Sequence, residues 1–178
     1  MYLDKFSELE LSRLLKNLVL DSDDISLNYK EEAFELIDKF NTFPSTFEFE
    51  ENIRSEQKVL DKMFGRLLDI TQNFVRKIKV YFEDSVSTYD KVIHNNFYQL
   101  SIDKFIEYAY EVSKFLEDHQ YELMHVGINQ AKIDNYNAQL FDLRKINNEF
   151  IAKVKEYEDE KKIILDKIKF KIEELSKD

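Results

Sequence analysis

Three histidines and no cysteine narrow the chemistry open to this chain of 178 residues. Glu122 and His125 form a Glu-x-x-His pair, a spacing that sets a carboxylate and an imidazole on one helix face where they could share a metal ion. A dinuclear carboxylate site needs a second such pair and two further glutamates. Neither remaining histidine supplies it, because Lys91 precedes His94 by three residues and Leu116 precedes His119 by three, and only Asp118 lies nearby. The pair therefore reads as a surface pair, and no metal is expected. His119 itself falls between Leu116 and Leu123 on an apolar seam, where an imidazole needs a hydrogen-bond partner and resists protonation. Thr71, Asn147 and Lys161 also interrupt apolar stripes, a pattern that sets helix register and partner choice rather than reactivity. No nucleophile, base and orienting group share a recognisable spacing, and two glycines are too few for a phosphate-cradling loop. No catalytic residue and no cofactor are expected.

Side chains that could recognise another protein are easier to find. Phe40, Phe43, Phe47 and Phe49 surround Pro44, the only proline. Aromatic side chains gain so much from burial that four around one turn either plug the end of a helical bundle or anchor a partner. Phe43, Phe47 and Phe49 are the candidate anchors. A second candidate surface is the stretch Ile151 to Asp178, with eight basic and eight acidic residues and a thinning apolar stripe. If that stretch outruns its neighbours within the chain, Val154, Tyr157, Ile164, Ile168 and Ile172 pair with a second copy or with another helix, making a homodimer possible.

The elements that must carry these residues are helices. Leu3, Phe6, Leu11, Leu14, Leu15 and Leu18 fall on one face of a first helix from about Tyr2 to Leu20, which Asp21 to Asp24 stops. Asn28 and Glu31 have capping-box spacing and begin a second helix that ends between Asn41 and Pro44. Ser45 and Glu48 repeat that spacing, starting a long third helix near Thr46 whose seam steps by four and three through Leu60, Phe64, Leu67, Thr71, Phe74, Ile78, Tyr81 and Ser85. Weak helix formers place a kink or turn near 85–100. Ser101 is the expected N-cap of a fourth helix ending at Gly127, a residue suited to a left-handed C-cap. A last helix runs from about Asn129 to Leu175, about 70 Å at 1.5 Å per residue. Gly65 lies inside the third helix and is expected to mark a close helix approach.

These segments predict an all-α, elongated bundle of about five helices, two of them long and coiled-coil-like, forming one domain over 1–178. Its parts are 1–44, 45–100, 101–127 and 128–178. A net charge of −10 repels phosphate backbones and anionic lipid at long range, so neither nucleic acid nor a bare membrane is an expected partner. The exception to that acidity is Asp61 to Val80, which holds Lys62, Arg66, Arg76, Lys77 and Lys79 against Asp61 and Asp69; pairing with acidic neighbours is its expected role, and a small basic patch the alternative. Charges interrupt the first twenty residues, unlike a signal peptide, and no window offers the ~20 apolar residues of a membrane span. Cytoplasmic location is the expectation. The function expected is a non-enzymatic scaffold or protein-interaction module. An acidic regulator that masks a basic target is the alternative, and a membrane-associating bundle a more distant one.

Overall fold

The computed structural model describes residues 3, 6–22, 25–82 and 97–176, and the fold is all-α. Among the described residues the helices are α1 (Glu8–Asp21), α2 (Leu27–Thr42), α3 (Thr46–Tyr81), α4 (Ile102–Asp118), the short α5 (Gln120–Leu123) and α6 (Gln130–Leu175). Tight 3-10 turns at Phe97–Gln99 and Met124–Val126 supplement them. Among the described residues no helix is long and apolar enough to cross a membrane.

Local chemistry accounts for the boundaries. Helix α1 begins six residues later than the apolar spacing suggests, because Ser7 and Glu10 form a capping box: Ser7 N–H donates to Glu10 Oε2 at 2.7 Å and Ser7 Oγ accepts from Glu10 N–H at 3.4 Å. The cap of α2 is Ser26, accepting from Tyr29 N–H at 3.3 Å, not Asn28, which falls inside the first turn. At α3 the expected box holds, with Ser45 N–H donating to Glu48 Oε2 at 2.8 Å and Glu48 N–H to Ser45 Oγ at 3.2 Å. The expected kink lies mostly in 83–96, outside the described residues. Beyond it, Ser101 occupies the N-cap of α4 without a side-chain hydrogen bond.

The single helix expected over 101–127 is broken at His119, after which α5 and a 3-10 turn lead to Gly127. Gly127 adopts φ 72°, its N–H donating to Met124 O and that of Ile128 to Leu123 O, each at 3.0 Å, the bonds of a Schellman cap. Leu123 and Ile128 are both buried, supplying the apolar contact that accompanies such a cap.

Two compact units result, and α3 and α6 contribute turns to both. The smaller comprises Met1–Asn52 and Ala152–Asp178, the larger Ile53–Ile151. In the smaller, Leu11, Leu15 and Val19 of α1 and Ala33 and Ile37 of α2 close on Ile164, Ile168 and Ile172 of α6. In the larger, the α3 stripe Leu60, Leu67, Phe74 and Ile78 packs with Phe105, Ala109, Val112 and Leu116 of α4 and with Ile133, Tyr136, Leu140 and Leu143 of α6. Phe64 meets Phe105 edge to face at 5.1 Å, and Phe97 stacks on Tyr108 at 5.2 Å. Gly65 marks no close approach, since a Cβ there would meet no atom within 4 Å.

Candidate functional site

The proline corner and the C-terminal helix, separate candidates in the sequence, meet in the smaller unit. Tyr157 of α6 is the meeting point. Phe49 stacks on its ring at 4.0 Å with planes 9° apart, and Phe43 at 5.2 Å and 22°. The Tyr157 hydroxyl donates to the Pro44 carbonyl oxygen at 3.0 Å, so the ring is fixed both by its faces and by its polar tip. One helical turn on, Lys161 Nζ donates to Thr46 Oγ1 at 3.1 Å and pairs with Glu8 at 2.9 Å. This polar interruption of the α6 stripe therefore ties the entry of α3 to that of α1. Glu48, held in the capping box by the Ser45 backbone and hydroxyl, has its carboxyl below the ordinary range.

Phe47 behaves differently. Its position and that of Phe49 are two residues apart, about 200° around a helix, so the turn that presses Phe49 on Tyr157 directs Phe47 outward. It is 70% exposed and borders an open depression of about 390 Å³ lined by Thr42, Pro44, Phe47, Glu48, Glu51 and Asn52. The phenylalanines of the corner are thus unequally buried: Phe40, Phe43 and Phe49 are half-buried, and Phe47 faces solvent.

The remaining candidates along α6 are covered. Val154 is half-buried and Tyr157 buried; Ile164, Ile168 and Ile172 are enclosed by α1 and α2 of the same chain. The stripe expected to outrun its internal partners does not do so, because α1 and α2 fold back over it. Beside it Lys171 Nζ lies 3.8 Å above the Tyr29 ring and 3.1 Å from Glu32, while the Tyr29 hydroxyl donates to Glu174 at 3.0 Å. Burial, then the hydrogen bond and charge of Glu174, raise the Tyr29 phenol to about 12.

Polar seam residues in the larger unit are satisfied locally. Thr71 Oγ1 lies 2.7 Å from the Leu67 carbonyl and 2.9 Å from the Tyr136 hydroxyl, whose ionisation burial pushes well upward. Asn147 donates to Asp103 at 2.7 Å. Glu122 faces His119, at 3.9 Å, and His125 stacks on Tyr81 at 6.4 Å. Among the described residues no three His, Asp or Glu side chains gather as a metal site requires. The expected pairing of the basic α3 stretch is not found: none of Lys62, Arg66, Arg76, Lys77 and Lys79 makes an ion pair among the described residues.

Sequence reasoning could have separated Phe47 from Phe49, because the start of α3 was legible and two residues reverse the helix face. It had no signal for the Tyr157 contact, which joins chain segments far apart in sequence. No protein-family model matches the chain, and no curated protein or solved structure matches it significantly.

Proposed function

We propose that this protein is a non-enzymatic helical interaction module that docks on another protein through the Phe47 corner. The observation that carries the reading is the unequal burial of the corner: its neighbours are locked on Tyr157 while Phe47 projects beside an open depression. An exposed phenylalanine on a rigid base loses little conformational entropy on binding, which is what a hot-spot anchor requires. Glu48, Glu50 and Glu51 beside it favour a partner whose apolar pocket is rimmed by cations or N–H donors. The long helices fit a scaffolding role.

The test compares wild type, Phe47→Ala and Phe43→Ala as baits in affinity capture, with the captured protein then purified and titrated. Phe47→Ala should melt like wild type and lose the captured partner by tenfold or more in affinity, about 1.4 kcal/mol. Hydrogen exchange at 42–52 should slow when the partner is added. Partner binding that Phe47→Ala leaves intact and that salt abolishes would instead favour an acidic regulator acting through its net charge.

A further inference from the structure

We propose that a groove between α3 and α6 in the larger unit binds an acidic amphipathic helix of another protein. This surface is distinct from the Phe47 corner and does not depend on it. The groove, about 440 Å³, has an apolar floor of Ile70 and Phe74, and Phe74 is held edge-on to Tyr136 at 5.4 Å. Lys77 lines it from α3 and Lys132 from α6, with the exposed Asn73 and Asn135 also in the lining and Asp69 its single acid. Both ammonium groups converge on the Gly127 turn. Lys132 Nζ donates to the Gly127 carbonyl oxygen at 2.5 Å, and Lys77 Nζ would lie 3.8 Å from a Cβ placed on Gly127.

One backbone carbonyl does not neutralise two ammonium groups, and neither lysine has a carboxylate partner among the described residues. Exposed Arg66 lies one turn before Ile70 on α3, and exposed Arg76 adjoins Lys77, so positive charge extends along the groove's α3 side. In a chain of net charge −10 this local reversal is a recognition feature rather than a general property of the surface.

The apolar floor selects the kind of anion. A phosphate backbone brings charge but no apolar side chain to fill the space above Ile70 and Phe74. An extended polyanion also meets the surrounding acidic surface, whereas contacts within about 8–10 Å are governed by the nearby cations. A helix carrying leucines at i and i+4 with glutamates alongside satisfies both features: its apolar edge covers the floor, and its carboxylates reach Lys77 and Lys132. The asparagine amides can donate to the same carboxylates.

A fluorescein-labelled helical peptide of about five turns, with leucines at i and i+4 flanked by glutamates, provides the probe, and its Glu→Gln counterpart the control. Anisotropy titration should show the acidic peptide binding the full chain, more weakly as salt rises, and the control binding at least tenfold more weakly. Lys77→Gln with Lys132→Gln should lose about tenfold in affinity, and Lys77→Arg with Lys132→Arg should retain it. Thermal melting accompanies each variant. If both lysines serve only to cap the Gly127 turn, the glutamine variant melts lower with no change in peptide affinity, and the proposal falls. It falls equally if the acidic peptide fails to bind at about 1 mM, if the control peptide binds as well, or if a single-stranded oligonucleotide or anionic vesicles bind the groove more tightly than the peptide.

Discussion

The two units use the same helices α3 and α6 but stabilise themselves differently. In the larger, bulky aromatic and aliphatic side chains from three helices fill the interior, and the buried Thr71 and Tyr136 hydroxyls satisfy each other. In the smaller, the buried set is mainly aliphatic, and polar contacts fasten its margins: Lys161 to Glu8 and Thr46, Tyr157 to Pro44, and Lys171 to Glu32 over Tyr29. Filling a volume tolerates no missing atoms, while a fastened margin can lose one tie and keep its packing. The difference also decides what each unit leaves open. The smaller presents Phe47 beyond a locked aromatic stack, and the larger presents cations without a carboxylate partner among the described residues over an apolar floor.

The sharpest way to break this comparison is to delete volume in each interior. Phe105→Ala, at a fully buried ring in the larger unit, should cost about 3–5 kcal/mol in urea unfolding; Ile168→Ala in the smaller should cost about 2–5 kcal/mol, toward the lower end. A loss at Ile168 that clearly exceeds the loss at Phe105 would overturn the account of the larger unit as the more volume-dependent one.

Removing a margin tie should be milder. Tyr157→Phe keeps the ring between Phe43 and Phe49 and deletes the hydroxyl that donates to Pro44 O. The expected loss is about 0.5–1.5 kcal/mol, the net worth of one hydrogen bond at an exposed residue, Pro44, where water can replace the lost donor. A loss above about 3 kcal/mol would show that the hydroxyl, not the stack, sets the corner.

Much of this was legible in the sequence, and what was not has identifiable causes. Scarce glycine and proline with three-and-four spacing establish the all-α class. Ser45 with Glu48, and Gly127, could be placed because capping is decided by residues three to five apart. Ser26 and Asn28 are comparable N-cap residues two positions apart, so local preference alone could not choose between them. Apolar spacing continues N-terminal to Ser7 and Glu10 and so points to an earlier start for α1 than the capping box sets. Tyr157 and Lys161 looked like an interrupted outer stripe because their partners, Pro44, Thr46 and Glu8, come from the other end of the chain. Closure of the isoleucine stripe by α1 and α2 is a tertiary fact of the same kind. Conversely, the basic α3 stretch is visible as composition, but its lack of ion pairs among the described residues is apparent only with the side chains placed.

Gly65 gives a prediction of the opposite sign. It lies within α3, half-buried, with open space where a Cβ would go. Gly65→Ala should therefore raise stability by about 0.5–1 kcal/mol, through the smaller backbone entropy lost when alanine enters a helix. A loss at this position would mean that some neighbour does approach α3 there.

The smallest expected effect concerns a margin tie and is read through pH. Tyr29 ionises at about 12 in the folded chain against 10.0 for a free phenol, because burial and the Glu174 carboxylate oppose the phenolate. The folded state therefore holds its proton to higher pH than the unfolded state. Its contribution is complete below about pH 10 and is lost as pH rises from 10 through 12. Lysines titrate in the same window, so the informative quantity is the difference between wild type and Tyr29→Phe, which lacks the ionisable group. Stability of wild type should fall more steeply than that of Tyr29→Phe between pH 10 and 12, by a modest amount because the half-exposed ring is screened by solvent. Parallel pH profiles for the two proteins would show that the hydroxyl is not held against Glu174, leaving Lys171 and the buried apolar residues to join α2 to α6 in the smaller unit.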